Sequence, residues 1–198
     1  NGAAGRVMKK LAQQVSGEQI IMFDDIDGDF PNHHPDPSEE KNLFHLIQKV
    51  KSKKLDFGVA FDGDGDRLGI VDNLGRVIPG DILLLLFAKN LLSKRKEITI
   101  VGDIKCSQVI FDEIEKLGGR AIISKTGHSL IKNCMIEKKA ILGGEMSGHM
   151  FFADEYNGFD DGLYAAARFV NLVSYSKKKL SDLINEIPKV HNTPEIRI

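Results

Sequence analysis

Apolar residues recur along this chain in two rhythms. Val7, Leu11 and Val15 stand at near-helical spacing, with Lys9, Lys10, Gln13 and Gln14 between them, which predicts an amphipathic helix. Gln19 to Phe23 reads as a strand, and Asp24 to Pro37 as a polar, proline-rich loop. Ser38 is placed to cap a following helix, and Glu39 and Glu40 suit its positive end. Leu43, Leu46, Ile47 and Val50 fit one face of that helix. Phe57 to Phe61 predicts a further strand, and Leu68 to Val71 with Arg76 to Ile78 a hairpin through Asp72-Asn73-Leu74-Gly75.

A second unit is expected from about Ile78. Pro79-Gly80-Asp81 starts a helix running to about Leu92, and Glu97 to Val101 is a strand. Cys106, Ile110, Ile114 and Leu117 mark a helix that Gly118-Gly119 closes. Ala121 to Ser124 is a strand, Leu130, Ile131 and Met135 mark a helix, and Ala140 to Leu142 is a strand. Met150 to Ala153 is β-like, Leu163 to Val173 an apolar helix and Leu180 to Ile187 a shorter one. A βαβαβ alternation in both halves predicts the α/β class: two consecutive α/β units with mixed, mainly parallel sheets flanked by helices. No close internal repeat is present.

Composition narrows the function. At 198 residues with 42% hydrophobic content, the chain can bury a real core. A net charge of -1 gives no electrostatic case for nucleic acid or an acidic membrane surface. The longest apolar run, Ile82 to Ala88, is far too short to span a bilayer. Cys106 and Cys134 lack metal-type spacing and fall in helix-like runs, so they read as buried thiols of a reducing compartment. With no secretory signal at the start, the expected location is cytoplasmic. Asn1 to Gly5 leads straight into a helix pattern without an initiator Met, and Thr193 to Ile198 reads as a linker; the expectation is a fragment of something longer.

The chemistry concentrates in Gly58 to Arg67, Gly-Val-Ala-Phe-Asp-Gly-Asp-Gly-Asp-Arg. An apolar strand ends in three alternating carboxylates, Asp62, Asp64 and Asp66. They repel one another and call for a cation. Glycine spacers let the loop curl so that the oxygens converge. Hard oxygen ligands suit Mg²⁺ or Ca²⁺, and Arg67 offers a fork to a phosphate or carboxylate beside the ion. The plainer reading is a solvated acidic turn. An EF-hand starting at Asp62 fails, because Arg67 and Asn73 stand where Gly and Glu are required. A haloacid-dehalogenase-type loop wants Thr or Val where Asp66 stands, which weakens that reading.

Three further polar clusters follow strands of the second unit, where open α/β sheets bind ligands: Asp103-Ile104-Lys105, Lys125-Thr126-Gly127-His128, and Gly143 to His149. Singly, Lys105 or His128 reads as a surface or capping residue; together they suggest one side of a polar pocket. Gly148 directly follows Ser147, so no G-x-S-x-G elbow is present. Glu145 and Ser147 have the chemistry of hydroxyl readers. His149 could exchange protons near neutral pH, or be a hydrogen-bonded structural histidine.

Five stretches together resemble the α-D-phosphohexomutase family, in its bacterial phosphomannomutase/phosphoglucomutase group: FPNHHPDP (Phe30 to Pro37), FDGDGDR (Phe61 to Arg67), KTGHSLIK (Lys125 to Lys132), GEMSGH (Gly144 to His149) and GFDDG (Gly158 to Gly162). They occur in the family's order over nearly the whole chain. The resemblance implies four domains in the parent, of which this chain would carry most of domain two (1–77), domain three (78–188) and a linker (189–198) towards domain four. It implies interconversion of hexose 1-phosphate and hexose 6-phosphate through a phosphoserine and a bisphosphorylated sugar. Asp62, Asp64 and Asp66 would hold Mg²⁺. Arg67 would lie beside the transfer centre, and Glu145 and Ser147 would bond the sugar hydroxyls. Lys105 and His128 would line the pocket, and His149 would exchange the proton of the attacking hydroxyl. Met146 in the GEMSGH form leans towards mannose/glucose dual use.

The family's serine loop and its phosphate-gripping loop of domain four are absent from these 198 residues, so the chain alone is expected to be inactive, with domains one and four as its partners. Two alternatives stay open from the residues. One is a haloacid-dehalogenase-type phosphatase or mutase, with Asp62 as nucleophile and Asp160-Asp161 helping to bind Mg²⁺. The other is a Ca²⁺-stabilised binding module.

Overall fold

A computed structural model describes residues 1–189. Helix α1 (Ala4–Ala12) is followed by an irregular segment, a 3-10 turn (Glu40–Leu43) and α2 (Phe44–Lys53). Strands β1 (Phe57–Phe61), β2 (Leu68–Asp72) and β3 (Val77–Ile78) form an antiparallel sheet in the order β1-β2-β3. The second unit runs α3 (Gly80–Lys94), β4 (Thr99–Asp103), α4 (Gln108–Lys116), β5 (Arg120–Ser124), α5 (His128–Lys138), β6 (Leu142–Gly144), β7 (Met150–Phe152), α6 (Gly162–Ser174) and α7 (Leu180–Asn185). Its sheet has the order β5-β4-β6-β7, with β4 parallel to both β5 and β6 and with β7 antiparallel to β6.

The α/β class and the mixed, mainly parallel sheet agree with the sequence reading. The first half departs from it. The βαβαβ alternation read there does not produce parallel pairs, because the strands present in that half form an antiparallel meander. Gln19 to Phe23 is not a strand. It lines a cleft of about 1080 Å³ together with β1 but is hydrogen-bonded into no sheet, and sequence propensity alone does not make a strand. Ser38 does not cap a helix; its hydroxyl donates to Asp36 Oδ1 at 2.7 Å and the 3-10 turn intervenes. Cys106 lies before α4, not in it, since Ser107 occupies the cap position. The strands read at Glu97 and Ala140 begin at Thr99 and Leu142 instead. The expected linker from 189 onward lies, apart from its first residue, outside the described residues.

Alternation on β2 decides where the core sits. Ile70 packs with Leu83 to Ala88 of α3, Phe152 of β7 and Phe169 of α6. Its neighbour Val71 points to the other face, against Leu43, Ile47 and Val50. Helix α3 is buried on nearly every side, which explains its unbroken apolar run; each fully buried leucine contributes about 1.5–3 kcal/mol. One core therefore runs continuously from the three-stranded sheet into the second unit. That continuity fixes the end of β1 relative to the end of β6.

Candidate functional site

The aspartate loop follows β1. Asp62 is 4% exposed. Its Oδ1 accepts from the Gly65 and Arg67 amides at 3.0 and 3.2 Å, and its Oδ2 from Arg67 Nε at 2.7 Å. Arg67 Nη1 reaches on to Asp36 Oδ1 at 3.0 Å. Burial opposes ionisation of Asp62, but the Arg67 hydrogen bonds outweigh it and hold its pKa below the ordinary value. Asp66 behaves oppositely. Burial, then the hydrogen bond and charge of Asp62, push it up to about 6 against the pull of His149.

One oxygen from each of Asp62, Asp64 and Asp66 lies within 4.8 Å of the others. Asp66 Oδ1 is buried and makes no hydrogen bond. Carboxylates converging with an unsatisfied buried oxygen and no soft donor fit a hard divalent cation.

The loop after β6 meets the aspartate loop directly. The Leu68 amide donates to Gly148 O at 3.0 Å, and Arg67 and His149 form an antiparallel bridge. A Cβ at Gly148 would sit 2.6 Å from Leu68 O, and one at Gly162 would sit 2.7 Å from Gly65 O and 2.8 Å from Arg67 O. Glycine at these positions is what lets the backbones close on each other.

Glu145 is buried in this seam. Its Oε1 accepts from the Gly127 amide at 2.7 Å; its Oε2 lies 3.2 Å from Ser147 Oγ and 2.7 Å from His149 Nδ1. Burial raises the Glu145 pKa, but its bonds to His149 and Gly127 prevail and lower it. An ionised carboxylate only accepts, so Nδ1 of His149 carries the proton it shares with Glu145. Nε2 of His149 then faces Asp66 Oδ1 at 3.4 Å. Burial lowers the His149 pKa, but the Glu145 bond and the charges of Asp66, Glu145 and Asp160 raise it overall.

His128 opens α5, its ring stacked on that of His149 at 6.0 Å between centroids. Its Nδ1 lies 3.2 Å from Asp160 Oδ2, and Lys132 Nζ lies 3.0 Å from Asp160 Oδ1. Lys105 sits on the exposed turn after β4.

Models of two phosphoglucomutase/phosphomannomutase alpha/beta/alpha domains match the chain, domain II over residues 1–75 and domain III over residues 79–191. The chain belongs to the phosphoglucomutase/phosphomannomutase family. A phosphomannomutase/phosphoglucomutase of Pseudomonas putida is 47% identical over all 198 residues. The crystal structure of a phosphoglucomutase/phosphomannomutase family protein from Burkholderia thailandensis superposes with a TM-score of 0.93 at 44% identity over 98% of this chain and 42% of that one. An Aspergillus fumigatus N-acetylphosphoglucosamine mutase, in complex with GlcNAc-6P and magnesium, shares the fold at a TM-score of 0.67 and 15% identity, covering 92% of this chain and 43% of that one. The chain spans 43% of the Pseudomonas relative's length.

Of the residues singled out in the sequence, the fold brings Asp62, Asp64, Asp66, Arg67, Glu145, Ser147, His149 and His128 into one connected cluster. Lys105 leaves the same sheet end, because β4, β5 and β6 run parallel there. Two further carboxylates join this cluster: the sequence reading gave Asp36 no role, and gave Asp160 one only in the phosphatase alternative. Asp36 anchors Arg67, and Asp160 faces His128 and Lys132. Both lie in stretches that carried the family resemblance, which was the available signal.

The alternatives are not favoured. The phosphatase reading needs Asp161 at the metal, and that carboxylate is engaged elsewhere. Asp161 caps α6, accepting from the Tyr164 amide at 2.9 Å and from Tyr156 Oη at 2.7 Å. Among the described residues no helix is long and apolar enough to cross a membrane.

Proposed function

We propose that the full-length parent is a phosphomannomutase/phosphoglucomutase that interconverts hexose 1-phosphate and hexose 6-phosphate in the cytoplasm. Residues 1–77 would form the remaining part of domain two, 78–188 domain three and 189–198 the linker, with domains one and four supplied by the rest of the chain. The transferred group would ride on a phosphoserine outside these residues. The observation that carries this reading is the backbone join of the aspartate loop to the histidine loop, Leu68 N to Gly148 O at 3.0 Å. It brings the aspartate–arginine loop up to the Glu145–His149 loop, and a charge-neutralising centre beside a proton-exchanging one is what phosphoryl transfer to a sugar hydroxyl would require.

Asp62, Asp64 and Asp66 would hold Mg²⁺; when bound, the ion supplies positive charge for the phosphoryl oxygens. Arg67, braced by Asp62 and Asp36, adds fixed charge beside them. Glu145 orients His149 through Nδ1, leaving Nε2 to exchange the hydroxyl proton. Glu145 and Ser147 retain lone pairs that can read sugar hydroxyls, and Lys105 and His128 line the sugar and phosphate side. A pocket that reads hydroxyls presented in both orientations lets the bisphosphorylated sugar turn end for end.

Phosphorus NMR of the full-length parent with Mg²⁺ and glucose 1-phosphate or mannose 1-phosphate tests the reading. The 6-phosphate resonance should grow in, whereas the 198-residue chain alone should leave the substrate unchanged. Release of inorganic phosphate as the only product would return the phosphatase reading.

A further inference from the structure

Asp103, the last residue of β4, is 1% exposed. Its carboxylate collects hydrogen bonds from three different loops. Oδ1 accepts from Cys106 Sγ at 3.0 Å, in the turn that carries Lys105, and from the Met146 amide at 3.4 Å, in the turn that carries Glu145, Ser147 and His149. Oδ2 accepts from Thr126 Oγ1 at 3.0 Å, in the loop that leads to His128. Below the same turn, α3 starts with Gly80, where a Cβ would lie 2.4 Å from Glu145 O and 2.5 Å from Met146 O. The Glu145 turn is thus gripped from one side by Asp103 and bedded on bare backbone from the other. Among the described residues, none of these hydrogen bonds reaches Asp62, Asp64 or Asp66.

From this arrangement we infer that Asp103 is a positioning residue: one buried carboxylate that locks the three sugar-side loops in register, through hydrogen bonds that do not involve the metal-loop carboxylates. The inference rests on the phosphohexomutase reading for what those loops do. A carboxylate suits the task because it accepts from several donors at once. An amide of the same shape can serve as well. Its oxygen takes Met146 and Cys106, and the Thr126 hydroxyl can turn to accept from its nitrogen. Alanine loses all three contacts and leaves partly buried donors unsatisfied.

The test uses the full-length parent carrying Asp103→Ala, Asp103→Asn or Thr126→Val, with steady-state kinetics and amide hydrogen exchange read on segments 62–67, 125–128 and 145–149. Asp103→Ala should lose about 100-fold in kcat/KM, the scale of a misplacement near 1 Å. Its exchange should speed up more in 125–128 and 145–149 than in 62–67, which is joined to the Glu145 turn only through the Gly148 and His149 seam. Asp103→Asn should restore both rate and protection. Thr126→Val, which leaves Asp103 in place, should loosen 125–128 alone and keeps the test open if the alanine variant does not fold. Wild-type protection of 145–149 in Asp103→Ala, equal loosening of 62–67, or no change at 125–128 in Thr126→Val would overturn the latch. A wild-type parent without hexose phosphate turnover would overturn the proposed function alone, and the exchange pattern would still decide the latch.

Discussion

Asp66 and His149 face each other across the seam between the two units, Oδ1 to Nε2 at 3.4 Å. One belongs to the loop after β1 and the other to the loop after β6, yet each shifts the other's protonation. A buried oxygen without a hydrogen bond opposite a ring nitrogen is a place that suits a proton or cation between two elements.

The pH dependence of cation binding follows from Asp66. Without divalent cation its pKa is raised from 3.8 to about 6, so folding favours the protonated form. The stability it contributes is present below 3.8 and is lost as pH rises through about 6. Cation binding needs the ionised carboxylate, so Mg²⁺ affinity should weaken as pH falls through that value. Isothermal titration calorimetry of the full-length parent between about pH 5 and about pH 7.5 checks this; an affinity unchanged over that range would contradict it.

The glycine seam makes a steric prediction. Gly162→Ala would place a methyl group 2.7 Å from Gly65 O and 2.8 Å from Arg67 O. Backbone cannot give way as a flexible side chain can, so the variant should lose about 1–3 kcal/mol and bind Mg²⁺ more weakly. Gly28, whose added Cβ would meet nothing within 4 Å, is the control and should stay within about 0.5 kcal/mol on alanine substitution. Urea unfolding of both variants measures the difference, and equal midpoints would refute the seam.

Much of this arrangement was legible in the residues. The alternation Asp62, Asp64, Asp66 after an apolar strand announces a hard-cation loop, and the Gly144 to His149 cluster announces polar chemistry after another strand. Helix α3 and the Asp72 to Gly75 turn were legible because apolar run and turn residues act locally. What stayed hidden depends on neighbours. Gln19 to Phe23 has strand composition, but pairing is decided across space, and here it faces a cleft. The work of Asp36, Asp103 and Asp160 is likewise tertiary: each becomes a brace only when Arg67, Thr126 or His128 arrives from elsewhere. Cys106 fits a helical period yet sits before α4, because its thiol turns back to Asp103.

Glu145 and His149 should separate in kinetics. In the full-length parent, His149→Ala should lower kcat more than it raises KM, by about 10²–10⁴-fold if the ring exchanges the proton in the transition state. Glu145→Ala removes the acceptor that holds His149 Nδ1 and that, on the proposed function, would read the sugar, so it should also raise KM and alter the mannose/glucose ratio. Steady-state rates with both hexose phosphates test the pair. An unchanged kcat in His149→Ala would remove the histidine from proton transfer.

The central claim is that the aspartate loop and the Glu145–His149 loop form one metal-dependent phosphoryl-transfer site. Its most direct test is the rate of glucose 1-phosphate conversion as a function of Mg²⁺ in the full-length parent and in a variant carrying Asp62→Asn, Asp64→Asn and Asp66→Asn. The wild-type rate should rise with Mg²⁺ and saturate, while the variant, folded by circular dichroism, should show no Mg²⁺-dependent turnover. A variant that retained saturable, Mg²⁺-dependent conversion would contradict the account.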